Sequence, residues 1–163
     1  MPGYSALLPC RPQSVPCARR LVTSALGAWD MDVLADDAEL IVSELLTNAI
    51  DHTHCCFARV MVQRPLEHRV RVSVADASAA LPTLSPAGGW AERGRGLMLV
   101  DALSTQWGYD RHPGYKTTWA ELHLPATTPS PSAPTPGAAL ATADHPTAVR
   151  AAARCPACDE AGR

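Results

Sequence analysis

Around His54 the apolar residues of this chain change their spacing, and the backbone must change with them. Through the stretch ending at His52 they recur every three or four positions, the period of a helix with one buried face. From Phe57 they recur every second position, the period of a strand. Phe57, Arg59 and Met61 alternate with Ala58, Val60 and Val62; residues 65–68 (PLEH) offer a turn; Val70, Val72 and Val74 then alternate with Arg69, Arg71 and Ser73. A helix is therefore expected to give way to a β-hairpin, whose second strand runs on into Ala75, Asp76, Ala77 and Ser78. An acid at a strand end among small neighbours can meet a flat ligand, although Asp in such a place also serves simply as a turn former.

The helix before the switch carries the most chemistry. In residues 39–52 (ELIVSELLTNAIDH), at about 100° per residue, Glu44, Asn48 and Asp51 fall on one narrow polar stripe with His52 at its edge. Ile41, Val42, Leu45, Leu46 and Ala49 cover the neighbouring arc. An Asn carbonyl is a hard oxygen ligand suited to magnesium, and a Glu one turn away can take a proton from a nucleophile. The spacing thus fits metal-assisted phosphate chemistry, while a solvated helix face remains the plainer explanation.

Upstream, residues 4–8 form a candidate edge strand stopped by Pro9 and Pro12. Ser14 is placed as a helix N-cap with Pro16 in the first turn, followed by apolar residues at helical spacing to Leu26 and by Gly27. Arg19 and Arg20 on that helix read as solvated, and the next helix opens around Asp36 and Asp37. Downstream, residues 79–93 contain Pro82, Pro86, Gly88 and Gly89 with little periodicity and read as a mobile connection. Gly94, Arg95 and Gly96 then open an apolar helix from Leu97 to Leu103, where free backbone N–H groups can meet an anion such as phosphate. Residues 105–111 and 115–124 make a second hairpin around His112, Pro113 and Gly114, with Thr118, Ala120, Leu122 and Leu124 on one face.

The folded unit is placed at residues 1–125 of 163. From Pro125 onward lie seven of the fifteen prolines (125, 129, 131, 134, 136, 146 and 156) and no Trp, Tyr or Phe, so residues 126–163 are expected to be a disordered Pro/Ala-rich tail. With 47% hydrophobic residues the unit can bury a real core, and a net charge of -2 gives no basic footprint for a nucleic-acid backbone. No run approaches a membrane span, and the N-terminus lacks the order of a signal peptide, so a cytoplasmic protein is expected. Six cysteines then stay mostly thiols: Cys55 and Cys56 read as small buried hydrophobes entering a strand, and Cys155 and Cys158 could join Cys10 and Cys17 in a zinc site only if the chain ends met.

Three motifs in order, ELLTNAIDH, VADAS and GRGLMLV followed by QWGY and KTTWAEL, closely resemble the anti-sigma-factor serine kinases of actinobacterial type, within the superfamily of histidine-kinase, gyrase and chaperone ATPases. The resemblance covers roughly residues 4–124 and implies an α/β (α+β) two-layer sandwich of the Bergerat type: a mixed, mostly antiparallel sheet with helices on one face and ATP between helices and lid. It puts Glu44 in the position of the catalytic general base and Asn48 in that of the Mg2+ ligand, with His52 where the motif continues towards the phosphates. Asp76 matches the acid that bonds the adenine amino group, Gly94 and Gly96 match the phosphate-side glycines, and Thr118 matches the threonine at the back of the adenine site. Ser78, Arg95 and Leu97 complete the expected nucleotide-binding set. Ser78 stands where the wider superfamily prefers glycine, and the lid is short. ATP and Mg2+ are the implied cofactors, a sigma factor and an anti-sigma-factor antagonist the implied partners, and a homodimer is compatible with the resemblance. Two other classes stay open beside a serine/threonine kinase: a nucleotide-gated binding module without turnover, and a zinc-dependent regulator built on the cysteines.

Overall fold

A computed structural model describes residues 1–52, 56–77 and 95–125 of the chain, of Arg95 the backbone only. The expectations for Cys55, Ser78, the connection 79–93, Gly94, the Arg95 side chain, the tail from residue 126 and Cys155/Cys158 lie outside what is described.

The change of period at residue 54 is a change of layer. Five strands, β1 (Gly3–Pro9), β2 (Phe57–Leu66), β3 (Arg69–Asp76), β4 (Gln106–His112) and β5 (Tyr115–His123), form one sheet in the order β1-β2-β3-β5-β4. Helices α1 (Val15–Gly27), α2 (Ala35–His52) and α3 (Arg95–Leu103) complete the α+β sandwich that the resemblance implies. All four strand pairings are antiparallel, so the expected mixed character is not seen among the described strands.

The core follows from the two periods. On α2, Ala38, Ile41, Val42, Leu45, Leu46 and Ala49 are buried, a three-and-four spacing that gathers one apolar stripe. On the sheet, Ala58, Val60 and Val62 of β2 and Val70, Val72 and Val74 of β3 are buried together with Ala120 and Leu122 of β5. These residues and the buried face of α1, including Ala18, Val22, Ala25 and Leu26, make one continuous core. Helix α2 packs against α1, α3 and β3, which makes it the central helix.

Local details depart from expectation where a side chain finds a better partner. Ser14 is the residue before α1, but its hydroxyl does not cap: a 3-10 turn over Pro12–Ser14 gives Ser14 helical dihedrals (φ -80, ψ -18), whereas a capping side chain needs an extended backbone. Arg19 is not simply solvated. Its Nε donates to Ser43 Oγ at 2.7 Å, Ser43 donates to the Glu39 carbonyl at 2.6 Å, and Thr23 donates to Glu39 Oε1 at 2.6 Å, a polar seam joining α1 to α2. Cys56 is exposed rather than packed, because it precedes β2 and only Ala58 begins the inward alternation. The first hairpin turns at Glu67 and His68, two residues later than its Pro65 suggests; β2 continues through an irregular register between Gln63 and Leu66 that accommodates the proline. The second hairpin turns on Pro113 and Gly114 alone, with His112 paired to Tyr115 and Gly114 at φ +83, a value that favours glycine. No helix among the described residues is long and apolar enough to cross a membrane.

Candidate functional site

Helix α2 delivers Glu44 and Asn48, one turn apart, from the edge of its buried stripe, and both are half-buried where a solvated face would leave them exposed. The reason is α3, which lies against α2. Gly96 is the second residue of α3, and a Cβ built there would collide with Glu44 Oε2, so the glycine lets the carboxylate lie against the start of the helix. The first N–H groups of a helix have no intrahelical partner, and the dipole there favours negative charge. Glu44 and Gly96, 52 positions apart in the sequence, thus meet at one place. Leu97, the next residue, is buried at 5% exposure, and one turn further on Val100 joins α3 to the core.

Asn48 carries the clearest sign of polarity without internal use. Its Nδ2 is buried and has no hydrogen-bond partner among the described residues. Such a group costs roughly 1–3 kcal/mol, and native interiors tolerate few of them. The two ends of an amide exchange by a half turn of the side chain, so this position can present either a donor to an anion or a carbonyl oxygen to a hard cation. His52 sits exposed in the last turn of α2, a site where a cation complements the helix dipole.

Strand β3 carries the third component. Asp76 ends it on the helix-facing side, in line with Val70, Val72 and Val74, and is only 4% exposed. Opposite it in the register stands Lys116, whose Nζ is 3.3 Å from Asp76 Oδ1, and the next residue of the same β5 row is buried Thr118, opposite Val74. Lys116 was not among the residues expected from the sequence. The signal for it is the alternation itself, since residue 116 precedes Thr118 and Ala120 by the two-residue steps that keep one face. A second buried acid, Glu121, lies on the other face of the sheet; Arg71 Nη2 and Arg69 Nη1 approach its oxygens at 2.7 and 3.2 Å, and Gln106 Nε2 donates at 3.3 Å. Arg71 also lies over the Trp119 ring at 4.2 Å. This cluster sits behind the sheet, apart from the helix-side residues, and closes the outer surface of β3, β5 and β4.

An acid buried at a strand end, an unsatisfied amide on the central helix and a carboxylate held by a glycine at a helix start make a helix-side site with separate polar parts. Residues 8–122 match the histidine kinase-like ATPase domain. The chain belongs to that family. The matched span runs from the end of β1 to the end of β5 and so contains every helix and strand of the site. No curated protein matches the chain significantly. Among solved structures, the chain is similar to the crystal structure of the RsbU and RsbW domains of Rv1364c from Mycobacterium tuberculosis, with 20% sequence identity and a TM-score of 0.54, over 76% of this chain and 33% of that one. This likeness is one of fold, and the match spans about a third of the length of that crystallised chain.

Proposed function

We propose that this ATPase-domain protein is an ATP-dependent protein serine/threonine kinase of the anti-sigma-factor type, which phosphorylates a serine of an antagonist protein and binds a sigma factor in the control of transcription. The observation that carries the reading is the Glu44 carboxylate seated against Gly96 at the start of α3, one turn along α2 from the unsatisfied amide of Asn48. That placement sets a proton acceptor beside an anion-binding helix end and a potential metal ligand, which is what transfer of a phosphoryl group to a hydroxyl requires. A neighbour in fold whose described domains include RsbW supports the choice of branch.

The residues present fit Mg-ATP. Asp76, acceptor-only when ionised, would take a hydrogen bond from the amino group of adenine, with Thr118 beside it in the same sheet row. Asn48 would hold Mg2+ through its amide oxygen, the backbone N–H groups at the start of α3, at Gly96 and Leu97, could meet the phosphates, and Gly94, Arg95, Ser78 and His52 belong to the proposed nucleotide-binding set by the resemblance. Bound Mg-ATP supplies a transferable phosphoryl group whose charge the metal partly neutralises. Glu44 accepts the proton of the incoming serine hydroxyl; Gly96 leaves the room in which that carboxylate lies, and the buried face of α2 holds in place the helix that carries both Glu44 and Asn48. The unit that does this is residues 1–125, a cytoplasmic module whose partners are the sigma factor, the antagonist and a second copy of the chain.

Radiolabelled transfer to the antagonist, measured beside ATP affinity, tests the reading. Glu44→Gln keeps ATP affinity and slows transfer by roughly 10²–10⁴-fold, the usual cost of losing a general base. A wild-type protein that binds both ATP and antagonist yet phosphorylates no serine refutes the kinase and leaves a nucleotide-gated binding module.

A further inference from the structure

Strands β1 and β2 keep their register one step beyond the sheet. Their ladder runs from Gly3 opposite Gln63 to Pro9 opposite Phe57. Past its far end the Cys10 N–H donates to the Cys56 carbonyl at 2.9 Å, just as at the near end the Arg64 N–H donates to the Pro2 carbonyl at 3.0 Å. The same register sets both pairs directly opposite, so Cys10 and Cys56 are cross-strand neighbours. Directly opposed residues of an antiparallel ladder share one face, and in a hydrogen-bonded pair their Cα atoms stand about 5.5 Å apart. Disulfides span Cα separations of roughly 4.4–6.8 Å, so the backbone already stands where such a bond needs it. Both residues are thiols, Cys10 half-buried against the core and Cys56 exposed. Cysteine is among the residue types most often buried, and Cys17, which is buried and accepts from Arg20 Nη2 at 3.3 Å, follows that habit. An exposed cysteine facing a second one across a ladder departs from it.

From this we infer that Cys10 and Cys56 are a thiol–disulfide switch that staples β1 to the start of β2. The oxidant is a peroxide. The exposed Cys56 sulfur, as its thiolate, attacks one oxygen of hydrogen peroxide and becomes a sulfenic acid; the hydroxide released takes up the thiol proton and leaves as water. The Cys10 thiol then attacks that sulfur, the S–S bond forms, and a second water departs with the Cys10 proton, so the two sulfurs have given two electrons to the peroxide. Two molecules of a small thiol reverse the step and leave as their own disulfide, for which exposure at Cys56 provides the access. The bond acts on an edge strand, since β1 pairs with β2 alone among the described strands. It also closes a loop that contains both α1 and α2, which restricts the unfolded chain far more than the folded one.

Treating the full chain with hydrogen peroxide, mapping its cysteines by tandem mass spectrometry and melting it before and after dithiothreitol tests the assignment. The oxidised wild type carries a Cys10–Cys56 cross-link and melts at least about 5 °C above the reduced protein, and dithiothreitol reverses both changes. Cys56→Ser, at an exposed position, and Cys10→Ser melt like the reduced wild type and gain nothing from peroxide. A cross-link from Cys10 to any other cysteine overturns the assignment, and so does a Cys56 that is carried on to sulfinic acid while Cys10 stays a thiol. A Cys10–Cys56 bond that forms only in urea, or that leaves the melting temperature where it was, overturns the staple as well.

Discussion

Replacing Gly96 by alanine separates two roles that a glycine can play at this helix start. The added Cβ would collide with Glu44 Oε2, the far end of a flexible side chain, whereas Glu44 Cδ and Cβ stand at 3.3 and 3.7 Å, so the carboxylate can swing aside without moving either helix. Turning Glu44 off its preferred rotamer costs about 0.5–1.5 kcal/mol. Against this, alanine is favoured over glycine in a helix by up to about 1 kcal/mol. The two nearly cancel, so the melting temperature of Gly96→Ala stays within about 4 °C of the wild type. Phosphoryl transfer does not escape so lightly, since a displacement of about 1 Å at a reacting group can cost about 10²-fold. The expected variant is stable, binds ATP within about threefold of the wild type and transfers phosphate at least about 10²-fold more slowly. Adding Glu44→Ala relieves the overlap and lowers transfer no further, because both changes remove the same carboxylate. Thermal melting, calorimetry and radiolabelled transfer on the four proteins give the answer. A drop of melting temperature beyond about 10 °C would show a clash of backbone rather than of carboxylate, and undiminished transfer would refute the catalytic placement of Glu44.

Asn48→Ala is expected to hold or raise the melting temperature, since it removes an unsatisfied buried amide and adds a better helix former, while Mg-ATP affinity falls by about 1–3 kcal/mol in calorimetry. Glu121→Ala takes the shared acceptor from Arg69, Arg71 and Gln106; because both arginines are about a third exposed and rehydrate, urea unfolding should show a loss of about 1–3 kcal/mol, short of the cost of a fully buried pair. Gly114→Ala meets no neighbouring atom but must adopt φ +83, so denaturation should report a loss of about 1–2 kcal/mol with no change in nucleotide affinity. Leu46→Ala opens the core beneath α2 and should lower stability by about 2–5 kcal/mol.

What the sequence discloses is governed by period. The apolar stripe of α2 and the alternations of β2, β3 and β5 are legible because each repeats several times, and the resemblance to the anti-sigma kinases supplies their arrangement. Features that depend on one contact between distant segments are not legible. Nothing in the order of residues says that Gly96 lies under Glu44, that Arg19 leaves water for Ser43, or that Lys116 stands opposite Asp76. Ser14 shows the other kind of failure, where a good local signal loses to a 3-10 turn set by its neighbour Pro12. The shift of the first hairpin past Pro65 likewise follows from cross-strand pairing, which the proline bends but does not stop.

The strand order has a bearing on when the site comes into being during folding. Strands β2 and β3 are neighbours in the chain and can zip together early, as can β4 with β5, but β3 and β5 meet only after a long loop has closed. Asp76 lies on one side of that late junction, with Lys116 and Thr118 on the other. Helix α3 falls in the same closing segment, so Glu44 gains its neighbour Gly96 in the same event. A partly folded chain that still lacks the β3–β5 seam therefore has a hydrophobic core in the making but no assembled base site. If the proposed nucleotide site is right, ATP bound across this seam is expected to slow unfolding and leave the earlier pairing of the hairpins unchanged, which unfolding and refolding rates measured with and without ATP would check.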